Sequence, residues 1–385
     1  MRIARTAFLT GVLLMAEVGT PAAARSAPAE GLPRSPAGWM FVASPNQRGA
    51  GPGGNQLYDV ASPDGTAVWA VGTSGQTLAE FLGPNGWEVV RTPRSAAADS
   101  STLRAVAGTS ASDMWAVGDR TLKGSRRHPL IERWDGAVWR LVPGAVAIYG
   151  ALRDVVAIAP DDAWAVGSRL TTTPNAALLE DWNGSGWLPV EGAARSGSLV
   201  AVSASDGSNV WAAGTAANGS AFVERWNGST WNEVPLGPKL PPGARLSDVL
   251  VLGPKDAWLA GRVAATAADA GSALTAHWDG SSWSYPAMPD VAGADALASL
   301  TAHGSELWAV GSTSSPDPSG GSATLIEHWN GSAWQVQTSP DPGPNVNRLE
   351  GVASTGGSIW AVGEFEPANG VPRTLIERLC LVCAR

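Results

Sequence analysis

Only two cysteines occur in the 385 residues, and both stand at the very end, Cys380 and Cys383. A metal site needs more Cys or His ligands at suitable spacing, so a zinc module is excluded. An extended strand would hold the two Cα atoms about 10 Å apart, at ~3.3 Å per residue. A disulfide between them therefore requires a turn. A thioredoxin-like redox motif needs a helix start in a βαβ context, and neither is visible. Charge is also scarce: charged residues make up 16% of the chain, and the formal net charge is −8. Basic patches are small, so the electrostatic footprint of a nucleic-acid binder is missing. After the N-terminal segment no run reaches the roughly 18 apolar residues that would span a membrane. Phosphate-cradling glycine loops are absent as well. Histidine and tyrosine number only four and three: His128, His277, His303, His328, Tyr58, Tyr149 and Tyr285.

What is abundant is glycine (46), proline (28) and tryptophan (19). Trp164-Ala165-Val166-Gly167 is written seven times, with small variations, at Trp69, Trp115, Trp164, Trp211, Trp258, Trp308 and Trp360. The steps between these tryptophans are 46, 49, 47, 47, 50 and 52 residues. A period of this size marks a repeat architecture. Each unit carries a Leu-x-x-Val run, or a variant of it, beginning at Leu57, Leu103, Leu152, Leu199, Leu246, Leu297 and Leu349. A short turn separates it from the Trp-Ala-Val-Gly run. The third run reads like Leu130-Ile131-Glu132-Arg133-Trp134. An Asp-Gly or Asn-Gly turn follows, and a second Trp opens the fourth run, as in Trp329-Asn330-Gly331-Ser332-Ala333-Trp334. Such dipeptides are the strongest short hairpin signals, because both central residues can take positive φ. Four short strands joined as a meander make one propeller blade.

The tryptophans test this assignment. Seven lie in the second run, eleven flank the third-to-fourth hairpin, and Trp39 remains. The seventh unit has Leu375-Ile376-Glu377-Arg378 but no hairpin or Trp after it. The stretch from Trp39 to Pro45 resembles the fourth run from Trp334 to Pro340. The expected fold is all-β: a seven-bladed β-propeller of four-stranded antiparallel blades. Residues 39 to 44 should complete the last blade beside residues 374 to 379 and close the ring, removing exposed sheet edges.

Ahead of this domain, Arg2 and Arg5 precede an apolar run at 7 to 15 and small residues at Ala22-Ala23-Ala24. This pattern predicts a cleavable signal peptide over 1–24 and a flexible Ala/Pro/Ser-rich leader over 25–37. A single propeller over 38–379 and a C-terminal tail over 380–385 complete the expected layout. The mature protein should be soluble, monomeric and secreted or otherwise extracytoplasmic.

The repeat resembles kelch and galactose-oxidase-like propellers over about residues 38 to 379. There an apolar first strand leads into an aromatic-x-Val-x-Gly-Gly strand, then a Val-x-x-Tyr-Asp strand, a turn and a Trp. Trp-Ala-Val-Gly matches the second element, and Arg133-Trp134-Asp135 through Trp139 matches the later part. The glycine pair is reduced to one, with Asp119 after Gly118 and Ser168 after Gly167, and Trp stands where kelch has Tyr. The Asn-Gly-Ser-x-Trp turns also resemble the Asp-box turns of sialidase propellers, with an incomplete pattern. Galactose oxidase holds copper with Tyr and His ligands and a Tyr–Cys cross-link; no such set carries over to these positions, so no cofactor is expected. The resemblance implies either a binding scaffold or a carbohydrate-active enzyme of the galactose-oxidase-like or sialidase-like type. No catalysis is evident, and the first reading is preferred.

Glu recurs at one place in six units, as Glu80, Glu132, Glu180, Glu224, Glu327 and Glu377. A catalytic carboxylate is normally unique, so these are read as architectural, accepting backbone or arginine hydrogen bonds between blades. His277 and His328 share the repeat position of Arg133 and Arg225 and are read as strand residues. Asn183, Asn218, Asn227 and Asn330 match the glycosylation acceptor pattern, but three of them are the hairpin turns. Binding usually resides in variable loops on a rigid scaffold. Here the variable loops are those at 119–129, 235–245, 262–272, 312–323 and 364–373, all on one face of the blades. The most charged carries Arg120, Lys123, Arg126, Arg127 and His128, the candidate site for a protein or carbohydrate ligand.

Overall fold

The computed structural model describes residues 38–47, 53–94, 98–145, 149–170, 176–193, 197–265, 271–291, 293–315 and 320–382. The signal and leader segments and Cys383 lie outside the described residues. Each of the first five units folds as a separate four-stranded antiparallel sheet, its strands in chain order. The first holds Gln56–Ala61, Trp69–Thr73, Thr77–Gly83 and Gly86–Val90. The second holds Ala98–Ser110, Asp113–Leu122, Arg127–Trp134 and Trp139–Leu141. The third holds Gly150–Ala159, Asp162–Arg169, Ala176–Trp182 and Trp187–Val190. The fourth holds Gly197–Asp206, Asn209–Ala216, Ala221–Trp226 and Trp231–Glu233. The fifth holds Ala244–Gly253, Asp256–Val263, Ser272–Trp278 and Trp283–Ser284.

Units six and seven share one eight-stranded sheet. Unit six supplies Ala294–His303, Glu306–Ser314, Ser322–Trp329 and Trp334–Gln337; unit seven supplies Val346–Ser354, Ser358–Glu366 and Arg373–Cys380. Seven separate sheets were expected, and this fusion departs from that. It rests on a single parallel step, Ser322 opposite Val346. The chain ahead of Ser322 touches the start of the next unit, where Ser322 N donates to Asn345 O at 2.7 Å. Asn347 Nδ2 donates back to Ser322 O at 3.3 Å. The eighth strand is Met40–Phe41, which pairs antiparallel with Arg373–Cys380, Met40 opposite Arg378 and Phe41 opposite Glu377. Val42 N extends the ladder to Ile376 O at 2.8 Å.

The second strands are buried on both sides, because each sheet packs face to face on its neighbours. This explains why the run is apolar without alternation. Its tryptophan meets the hairpin tryptophan of the next unit edge to face: Trp69 on Trp139 at 5.3 Å, Trp115 on Trp187 at 5.1 Å, Trp164 on Trp231 at 5.2 Å. The same contact joins Trp211 to Trp283 and Trp258 to Trp334. Trp308 of unit six meets Trp39 at 5.8 Å, and Trp360 of unit seven meets Trp87 of unit one at 5.5 Å. Edge-to-face pairs are the favoured aromatic geometry. The residue after the third-strand Glu covers the same ring. Arg133, Arg225 and Arg378 stand 4.8, 5.2 and 5.1 Å over Trp115, Trp211 and Trp360. His277 and His328 stack on Trp258 and Trp308 at 4.3 and 4.1 Å.

The hairpin turns work as capped loops. Asn183 Oδ1 accepts from Ser185 N, Ser185 Oγ and Gly186 N at 2.8–3.1 Å, and Gly184 takes φ +85°. Asn227 and Asn330 repeat the arrangement. The six repeated glutamates are fully buried. Glu180 and Glu224 accept backbone N–H groups of Ala145 and Ala193 at 3.1 and 2.8 Å. The expected hydrogen bonds do not extend to all of the others: among the described residues, neither oxygen of Glu132, Glu327 or Glu377 has a partner. Burial accordingly pushes Glu80, Glu132, Glu327 and Glu377 up to about 8, which keeps them neutral.

Candidate functional site

The first strand of every unit carries a β-bulge at one register step. In unit three Leu152 lies opposite Gly167 and Asp154 opposite Val166, leaving Arg153 as the extra residue. The same shift sets apart Tyr58, Arg104, Val200, Ser247, Ala298 and Glu350. The motif glycine makes this possible. A Cβ on Gly167 would run into the carbonyl of Ala151, and one on Gly118 into that of Thr102. Bulges bend a strand and re-aim a side chain, here toward neighbouring first strands.

In units one, three and five the residue after the bulge is an aspartate that ties its unit to the next. Asp59 accepts from Val60 N and, in the next unit, Val106 N, both at 2.8 Å. Asp154 does so with Val155 N and Val202 N at 2.8 and 2.7 Å. Asp248 does so with Val249 N and Leu300 N, each at 2.7 Å. These carboxyls keep some accessible area yet lie deep among the first strands. Burial, chiefly, pushes Asp59 and Asp248 to about 7 and Asp154 well above its ordinary range; repulsion from Asp248 adds to the rise of Asp59 and Asp154, and repulsion from Asp59 to that of Asp154. The three carboxyls are thus close enough to feel one another.

The bulged side chains of units one, two, three and seven form a polar cluster. The Arg104 guanidinium lies 5.4 Å from the centre of the Tyr58 ring. Arg104 Nε donates to Asp119 Oδ1 at 2.8 Å, and Arg127 Nε stands 3.1 Å from Asp119 Oδ2. Burial lowers the pKa of Arg153, and the charges of Arg104 and Arg127 act in the same direction against Asp119. Across from them, Arg348 Nη1 lies 3.7 Å from both Glu350 Oε1 and Glu364 Oε1. Burial raises both of these carboxyls, and Arg348 opposes the rise. A cavity of about 650 Å³ adjoins this side, lined by Arg245, Ser247, Arg262, Asp295, Arg348 and Glu350.

The structure gathers part of the loop singled out from the sequence into this cluster. Arg126, Arg127 and His128 come off the hairpin between the second and third strands of unit two. Arg126 stands 5.7 Å from the Tyr149 ring centre, and the His128 ring lies 5.0 Å from it. His128 Nε2 is 3.1 Å from Ser125 Oγ. Lys123 is exposed at the turn. Arg120 is half-buried, and among the described residues its Nε has no partner. Arg104, Arg153, Tyr58 and Tyr149 were not singled out from the sequence. The signal that could have found them is variation: the residue after the constant leucine changes from Tyr to Arg, Val, Ser, Ala and Glu.

Among the described residues, no group of three His, Cys, Asp or Glu side chains is placed to hold a metal ion, and no helix is long and apolar enough to cross a membrane. No family model matches the chain, and no curated protein is similar to it. Solved structures are. YCF48 bound to D1 peptide is 16% identical, with 89% of this chain and 96% of that one covered and a TM-score of 0.54. YCF48 from Cyanidioschyzon merolae is 17% identical, covers 89% and 99%, and gives 0.55. A phage phi92 endosialidase is 12% identical over 86% and 70%, with a TM-score of 0.49; no argument passes from it to this chain. With the repeated antiparallel four-stranded sheets, the first two likenesses define the class: the chain is a β-propeller.

Proposed function

We propose that this chain is an exported, non-catalytic binding scaffold that holds a peptide segment of a protein partner on its variable-loop face. The propeller has seven kelch-like blades in a closed ring. Support for closure comes from Met40–Phe41 on the last strand and from the Trp308–Trp39 and Trp360–Trp87 contacts. The first strands then line a central channel, and the bulged residues surround one mouth of it. The observation that carries the reading is the joining of hairpin and mouth. Arg127 and Arg104 share Asp119, and Arg126 rests on Tyr149. That leaves a basic, aromatic notch between blades two and three. The similar YCF48 structure holds a D1 peptide, which makes an extended peptide a natural occupant of this fold. Export rests on the N-terminal signal pattern.

The test is a paired array of peptides and glycans probed with the full chain and with Arg126→Ala/Arg127→Ala. Peptide binding that falls at least tenfold in the double variant is expected. Glycan binding alone, or turnover of a glycan, would refute the reading in favour of a carbohydrate-active propeller.

A further inference from the structure

The notch has more positive charge than its own residues neutralise. Three guanidinium groups, Arg104, Arg127 and Arg153, surround one carboxylate, Asp119. The other acid within reach of Arg104, Glu350, is faced by Arg348 at 3.7 Å. Arg348 also faces Glu364, so four guanidinium groups meet three carboxyls and one positive charge is left over, in a chain whose formal charge is −8.

The donors are also left over. Arg104 and Arg127 each meet Asp119 through Nε, and among the described residues neither makes a hydrogen bond through its Nη groups. Among the described residues, Arg153 makes no hydrogen bond or ion pair, and it remains half-exposed. A guanidinium presents five N–H donors in a fixed fork and cannot lose its charge. Like charges held together repel; burial lowers the pKa of Arg153 most, and the charges of Arg104 and Arg127 add to the shift. An anion placed among them would relieve that repulsion. Asp119 shows the kind of anion this spacing accepts, since one carboxylate bridges two of the three arginines. Arginine–carboxylate pairing is short, charge-assisted and frequently bidentate. The flanks are aromatic, with Tyr58 beneath Arg104 and Tyr149, 43% exposed, beside Arg126. Such flanks suit the apolar parts of a peptide on either side of a charged group.

Resting on the peptide-binding reading, we infer that Arg104, Arg127 and Arg153 form a carboxylate-recognition site that selects acidic peptides. Arg153 is the free fork, and Asp119 holds the other two in place. The carboxylate comes from a Glu or Asp side chain or from the peptide's own C-terminus.

Fluorescence anisotropy on the full chain decides it, with four labelled probes. These are hexaglutamate as the C-terminal amide, hexaglutamine with a free C-terminus, hexaglutamine amide, and a sulfated heparin hexasaccharide. Arg153→Gln is the variant of choice because Arg153 supports no protein contact whose loss would unfold the chain. Arg140→Gln, on an exposed pair with Asp135, is the control. Hexaglutamate amide or free-acid hexaglutamine should bind, should weaken at least tenfold in Arg153→Gln and not in Arg140→Gln, and should weaken with salt. The first probe binding assigns a side-chain carboxylate, the second the terminal one. Equal binding by Arg153→Gln would overturn the inference, as would preference for the uncharged amide or for the sulfated sugar. A neutral peptide found on the array and lost in Arg126→Ala/Arg127→Ala would leave the scaffold reading standing while this one falls.

Discussion

Replacing Glu132 with Gln should leave the protein's stability in mild acid little changed relative to wild type and raise it clearly in mild base. Glu132 is fully buried, with neither oxygen partnered among the described residues, and burial moves its carboxyl from 4.5 to about 8. In the unfolded chain it ionises near its ordinary value. The folded pKa is thus raised. The stability contribution is fully present below pH 4.5 and is lost as pH climbs through 8. At 1.36 kcal/mol per unit, the loss between pH 5 and pH 8 comes to about 3.5 kcal/mol. This is a ceiling, since water drawn to an ionised carboxylate would reduce it. Gln does not titrate, so the variant should escape that loss. Any fixed cost of burying its amide is the same at both pH values and cancels in the comparison. The carboxylates with lowered values act below this window: Asp64 and Asp135 are held down mainly by backbone N–H groups, and Asp206 and Asp279 chiefly by the hydroxyls of Ser208 and Ser281. Asp59 and Asp248 titrate inside it but do so alike in both proteins. The assay is thermal unfolding followed by tryptophan fluorescence at pH 5, 6, 7 and 8. A gain for the variant of roughly 5–10 °C at pH 8 relative to pH 5 is expected. Parallel curves would refute the argument, because they would mean that the carboxyl is not neutral inside the interface.

Two further substitutions probe the closure and the ties between first strands. Trp39→Ala removes a ring that is 7% exposed and packed on Trp308. It should cost about 3–5 kcal/mol, read as a lower denaturant midpoint; an unchanged midpoint would mean that the N-terminal strand does not hold the last sheet. Asp248→Ala strips the acceptor from Val249 N and Leu300 N. It should cost about 2–4 kcal/mol through two stranded backbone donors, whereas Asp248→Asn, which keeps an acceptor oxygen, should lose less. Equal losses in the two variants would show that the charge, and not the bridge, is what matters at this position.

Much of the scaffold was legible because it is written repeatedly. The Trp of the second run, the Asn-Gly and Asp-Gly turns and the surplus Trp39 each announce a contact that recurs between sheets, so one misread copy is corrected by the others. Two things escaped that reading. The fusion of units six and seven hangs on Ser322 opposite Val346, a single step where two strands begin, which no repeat foretells. The bulge escaped for a deeper reason. A strand read with period two sends Leu152 and Asp154 to one face and Arg153 to the other. The structure instead leaves Arg153 unpaired and aims Asp154 at the next unit. The glycine of Trp-Ala-Val-Gly is where this could have been seen. Read as a strand residue it is a weak choice; read as a position where another backbone passes too close for a Cβ, it implies the bulge opposite. The variable residue at that bulge is then the place where each unit can differ without disturbing its packing. Arg104 and Arg153 occupy it in adjacent units, which is how a scaffold built from near-identical parts acquires one basic notch.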